Sequence, residues 1–140
     1  MADSRSSAIP ALRYRDAPAA IEWLCKVLGF TRHVVYEGAS GEINHAELVL
    51  GGGMIMLGSM KEDEHGRRFK SPGELGGAET SSAYIVVPDA DAVYARAQGA
   101  GATIVRPLQD MPYGSREFAV MDPEEHTWSV GTYDPWAQHN

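Results

Sequence analysis

Ile21, Leu24, Cys25 and Leu28 recur at i, i+3, i+4 and i+7, the spacing that lays one apolar stripe along a helix. Asp16 stands where an N-cap is needed, and Pro18 falls in the first turn, where a missing N–H costs nothing. Gly29 ends the stripe. On both sides the pattern changes to strand. Residues 9–15 read as one strand, and Phe30–Glu37 and Ile43–Leu50 read as an antiparallel pair around Gly38-Ala39-Ser40-Gly41. Gly51-Gly52-Gly53 then turns the chain into a fourth strand, Met54–Gly58.

The same plan returns about 72 residues later. Ala11–Pro18 opens the first copy and Ala83–Ala90 the second, each running from an apolar strand into an Asp, Asp16 or Asp89. Strand 82–88, a helix over about 90–98 and strand 102–108 follow, then strand 115–121, the turn Asp122-Pro123-Glu124-Glu125 and strand 126–133. At this offset Leu48 matches Val120 and Met56 matches Trp128. The expected fold class is α+β: two tandem βαβββ modules whose curved mixed sheets form a cup. Repeat one covers about 9–58 and repeat two about 82–133, with a tail over 134–140, in a single domain of 140 residues. Between the copies, Ser59–Ser81 is rich in Gly and charge and has almost no periodicity. It reads as a solvated mobile connection, or as a lid over one end of the cup.

Composition narrows the partners. The apolar fraction of 44% and charged fraction of 22% are ordinary for a globular protein. With a net charge of −7 and no Lys/Arg run longer than Arg67-Arg68, neither nucleic acid nor an anionic membrane is an expected partner. No apolar stretch approaches the ~20 residues of a membrane helix. Met1–Ser7 lacks the apolar core of a secretion signal, and Cys25 is the sole cysteine, so a reducing cytoplasm is the expected location.

Three stretches resemble the vicinal oxygen chelate superfamily, which holds glyoxalase I, extradiol dioxygenases and bleomycin-resistance proteins. They are Leu12-Arg13-Tyr14-Arg15-Asp16, Trp23-Leu24 through Val27-Leu28-Gly29-Phe30, and Phe118-Ala119-Val120-Met121-Asp122-Pro123-Glu124-Glu125-His126-Thr127-Trp128-Ser129. The resemblance spans about Ile9 to Tyr133. It implies the paired-module fold, assembled as a homodimer. Metal-dependent members draw ligands from the first and last strand of each copy, and here those places fall at Ile9, Ala83, Met56 and Ser129. Ile and Ala have no donor atoms, and a thioether and a hydroxyl are poor ligands for a divalent ion of the glyoxalase type. The expected cofactor is therefore none.

Candidate chemistry must come from elsewhere. His45 and Glu47 lie two apart on one strand face, and a displaced metal site could pair them with Glu117 or His126. Polar residues on an exposed strand face, and a turn histidine bonding nearby backbone, are the plainer readings. Cys25 sits on the helix's apolar stripe and reads as core, not nucleophile. Glu125 stands where the family usually has Gly, which predicts a strained turn. Alternation turns Met54 and Met56 toward the cup and Trp128 toward the helix. The expected ligand-binding set is Arg13, His45, Glu47, Met54, Met56, Tyr113 and Ser129, lining a metal-free cavity for a small apolar or aromatic molecule. The rivals are a divalent-metal lyase, isomerase or dioxygenase on non-standard ligands, and a metal-free enzyme relying on cavity carboxylates.

Overall fold

The structure is a computed structural model that describes residues 6–137. The outer residues of the polar N-terminal stretch (1–5) and of the tail (138–140) lie outside the described residues, with the expectations that fall on them.

Two four-stranded sheets form, in the orders β1-β4-β3-β2 and β5-β8-β7-β6. In the first module β1 (Ala11–Tyr14) leads into α1 (Ala17–Trp23), which continues as a π-helical stretch, Leu24–Leu28, and is followed by β2 (Thr31–Glu37), β3 (Ile43–Leu50) and β4 (Gly53–Ser59). The second module has β5 (Ala83–Val86), α2 (Ala90–Gly99), β6 (Thr103–Asp110), β7 (Arg116–Met121) and β8 (Thr127–Gly131). β1 runs parallel to β4 and β5 parallel to β8, and the other pairs are antiparallel. The expected elements are all present, with shorter β1, β5 and β8 and longer β4 and β6.

Local chemistry explains the boundaries. Asp16 and Asp89 each accept the backbone N–H three residues on, at 3.2 and 3.1 Å, so both helices start on the same cap. Gly29 closes the first helix at φ 89°, a conformation that a side chain would strain.

Register corrects the repeat offset. Leu48 stands opposite Ile55, whereas Val120 stands opposite Trp128. The true counterpart of Trp128 is therefore Ile55, and Met56 corresponds to Ser129. The cause is the second hairpin turn, one residue longer: Gly51-Gly52 joins the Leu50/Gly53 pair, while Pro123-Glu124-Glu125 joins Asp122 and His126. The opening strands shift likewise, so Ala11 corresponds to Tyr84 and not to Ala83. Ala83 packs against the core, in phase with buried Ile85 and Val87, and Tyr84 takes the opposite face, beside Ser129.

Both helices bury into one continuous apolar cluster, with Leu24, Leu28, Leu48, Phe118, Trp128 and Val130 almost wholly removed from solvent. Phe30 meets Trp128 edge-on, Tyr94 meets Phe118 likewise, and Arg96 donates to the Val27 carbonyl at 3.2 Å, tying α2 to the end of the first helix. Cys25 packs against this cluster, and burial pushes its thiol up from its ordinary value, as suits core rather than a nucleophile.

The connection is held by polar bonds instead of an apolar stripe. Ser71, almost fully buried, and Glu74 cap a short 3₁₀ turn, Pro72–Leu75, reciprocally. Gly73 N–H donates to the Glu124 carbonyl, and Glu79 accepts the Thr127 N–H. These bonds dock the segment on the β7–β8 turn. No helix among the described residues is long and apolar enough to cross a membrane.

Candidate functional site

Where β1 and β5 approach each other, a cleft of about 690 Å³ opens. One wall is the Pro10–Arg13 stretch, a second is Ser81–Tyr84 with His126–Trp128, and the third is the docked connection from Arg68 to Thr80. Phe69, partly buried, carries the Arg13 guanidinium over its ring, 5.3 Å from the centroid. One Arg13 N–H donates to the Ser59 carbonyl at 3.2 Å. At the inner end His126 meets Tyr14 edge-on, and its Nε2 is the one buried side-chain nitrogen or oxygen among the described residues without a hydrogen-bond partner.

The seam beside the cleft is built from one carboxylate. Asp122, almost fully buried, accepts from Tyr14 Oη at 2.6 Å and from Trp128 Nε1 at 3.1 Å. It also accepts the backbone N–H groups of Glu124 and His126, both at 3.0 Å. Burial, reinforced by the Asp122 charge, raises the Tyr14 hydroxyl far above its ordinary value. Glu124 completes the seam by accepting the N–H groups of Arg15 and Asp16 at 2.7 and 2.8 Å.

Away from the cleft, each sheet has a polar cluster on its helix-free face. In the first module His45 Nε2 and Glu47 Oε2 lie 2.8 Å apart, His33 Nε2 is 4.0 Å from the other carboxylate oxygen, and Tyr36 stacks near His45. In the second, Glu117 is almost buried and accepts from Tyr113 Oη at 3.0 Å on both oxygens, with Arg106 at 3.7 Å. Burial and then the Glu117 hydrogen bond push the Tyr113 hydroxyl up, and burial does the same for Tyr84. Gly131 is required here, since a Cβ would lie 2.6 Å from Tyr84 Oη and 2.7 Å from Glu117 Cγ.

The expected binding set is thus dispersed. Arg13 lines the cleft. His45 and Glu47 bond each other on the first sheet, Met56 stands beside Glu47, Met54 stands beside Val49, and Tyr113 reaches Glu117. Ser129 lies between Tyr84 and Ala119 on the second sheet. Cleft residues that the sequence reading passed over are Phe69, Lys70 and Leu75. Phe69 is the sole aromatic in Ser59–Ser81, and that was the available signal.

The profile of the Glyoxalase/Bleomycin resistance protein/Dioxygenase superfamily matches residues 8–130. The chain belongs to that superfamily. An uncharacterized protein of Mycobacterium tuberculosis is 34% identical over 122 residues, covering 87% of this chain and 71% of its own length. The crystal structure of TioX from Micromonospora sp. ML1 superposes with a TM-score of 0.69 at 35% identity, covering 90% of this chain and 97% of that one. A glyoxylase/bleomycin resistance protein/dioxygenase domain from Frankia sp. EAN1pec gives the same TM-score at 18% identity, which speaks for the fold alone.

Superfamily membership raises the question of a divalent metal. Ile9 precedes β1, and the facing positions on the seam strands are Ala11, Met56, Tyr84 and Ser129. They offer a thioether, a phenol and a hydroxyl, but no imidazole or carboxylate. Nor do the non-standard candidates meet. His45 and Glu47 lie on one sheet, Glu117 on the other, and His126 lies against Tyr14. Among the described residues no group of three or more His, Cys, Asp or Glu is placed to hold a metal ion. The donor set of the described residues does not fit such a centre.

Proposed function

We propose that this chain binds a small molecule with an apolar or aromatic body in the β1–β5 cleft, through side chains and without a metal. The observation that carries the reading is the cleft itself. Its volume falls within the ~300–1,000 Å³ range of small-molecule sites, and its walls combine Pro10, Phe69, Leu75 and Trp128 with polar and charged side chains. Sequestration, as in bleomycin-resistance relatives, needs no more than this. The same reading expects a homodimer, since Tyr84, Val86, Tyr113 and Tyr133 on the second module leave exposed apolar surface for a partner copy, and the sole cysteine, Cys25, suits a cytoplasmic location.

The test is fluorescence-detected binding of a panel of aromatic probes to tag-free protein, with and without chelator, beside elemental analysis of the desalted protein. Affinity unchanged by chelator and weakened about tenfold or more by Phe69→Ala is the expected result. Binding that vanishes in chelator, together with a stoichiometric metal, overturns it in favour of a metal-dependent enzyme. Light scattering reads the dimer, and a monomeric mass defeats that part.

A further inference from the structure

Resting on that reading of the cleft, we infer that its ligand carries an oxyanion, a carboxylate or phenolate on an aromatic body, held by Arg13, Arg68, Lys70 and His126. The chain as a whole is acidic, at −7, yet its cleft is not. Three permanent cations line it, against one carboxylate, Glu79. That carboxylate is already engaged, because its Oε1 accepts the Thr127 N–H at 3.1 Å. Neither Arg13, Arg68 nor Lys70 makes an ion pair with any carboxylate of the described residues, whereas Arg32, Arg106 and Arg116 all do. Lys70 feels Glu74, but that side chain is turned to the Ser71 N–H and hydroxyl.

Arg13 is set up for the role. Phe69 lies under its guanidinium carbon, 5.3 Å from the ring centroid, and the single bond to Ser59 leaves most of its five N–H donors free. A guanidinium held over an aromatic ring recognises a planar oxyanion by direct hydrogen bonds while an aromatic body lies against its neighbours. The unpartnered, buried Nε2 of His126 is a separate observation pointing the same way. A buried polar atom left without a partner is rare in a native structure, and this one belongs to a cleft residue. A small shift of the ring that uncovered Nε2 would let a ligand oxygen accept its hydrogen bond and remove that cost.

The experiment compares naphthoate with naphthamide, which share a ring system and differ in charge, by titration of the full chain. Wild-type protein should bind naphthoate at least about tenfold tighter, and added salt should narrow the gap. In the Arg68→Gln/Lys70→Gln double variant the preference should shrink severalfold while naphthamide affinity stays within about twofold. Both side chains are exposed, so an unchanged melting temperature certifies the fold. Equal affinity for the two compounds, or a preference that survives both the double variant and Arg13→Gln, overturns the oxyanion assignment and leaves the cleft as a site for neutral aromatics. Failure of both compounds to bind overturns the underlying reading of the cleft.

Discussion

The two modules share a plan and differ most in one turn. In the first, β3 passes to β4 through Gly51-Gly52, and no heavy atom lies within 4 Å of where a Gly51 side chain would start. In the second, Asp122 to His126 spans the same step and is bonded on all sides. Asp122 collects four hydrogen bonds, Glu124 takes two N–H groups from the first module, and its carbonyl receives Gly73 from the connection. A duplicated unit therefore need not keep duplicated roles. One turn reverses the chain, while its counterpart joins both modules and the connection beside the cleft.

The sharpest way to break this contrast is to remove the two residues that occupy equivalent places, Leu50 and Asp122. Asp122→Ala leaves the Tyr14 hydroxyl and the Trp128 N–H buried without an acceptor. It should cost about 3–5 kcal/mol in denaturant unfolding. Leu50→Ala removes a partly buried side chain next to the glycine turn and should cost only about 1–2 kcal/mol. Equal losses would mean that the second turn has no special role at the seam.

Tyr14→Phe cuts only the inter-module arm of the same cluster. Loss of one hydrogen bond to a charged group predicts about 1.5–2 kcal/mol at neutral pH, less than Asp122→Ala. The variant also has a pH signature. Because the folded state raises the Tyr14 hydroxyl above its ordinary value of 10.0, the unfolded chain releases that proton first. The stabilisation is complete below pH 10 and is lost as pH climbs toward the folded value. Wild type should therefore lose stability above pH 10 more steeply than Tyr14→Phe. Tyr84 and Tyr113, raised in the same direction, will keep some slope in both proteins. Parallel alkaline limbs would show that Tyr14 does not titrate as its burial requires.

What could be read from the chain, and what could not, follows the same division. The helix caps Asp16 and Asp89, the stop at Gly29 and the inward parity of Ile55, Leu57 and Trp128 rest on local rules, and they are legible residue by residue. The repeat offset is a long-range quantity. An offset of 72 aligns Leu48 with Val120 correctly but slips at Met56, because one extra turn residue does not disturb either strand's own alternation. The connection was opaque for a different reason. Its order comes from Ser71, Glu74 and Glu79 bonding backbone groups, which leaves no apolar period to detect. The cleft inherits both difficulties, since one of its walls is that connection and another is the strand whose register slipped. Arg13 alone of the expected binding set reached it.

Backbone strain provides the smallest and most discriminating comparison. Glu125 is the one non-glycine among the described residues at positive φ, 72°, in the longer turn, and Gly51 sits at 56° in the shorter one. A side chain in that region costs about 1–2 kcal/mol, and glycine returns part of the gain through its freer unfolded chain. Glu125→Gly should thus stabilise by about 0.5–1 kcal/mol, raising the melting temperature by a few degrees. Gly51→Ala, with open space around it, should destabilise by about 1 kcal/mol for the same conformational reason. The two substitutions are reciprocal, so they must move stability in opposite directions. If Glu125→Gly destabilises instead, the Glu125 carboxylate beside Gly73 and Gly77 is contributing more than its backbone costs. In that case the second turn grips the connection through its side chains as well as through the Glu124 carbonyl.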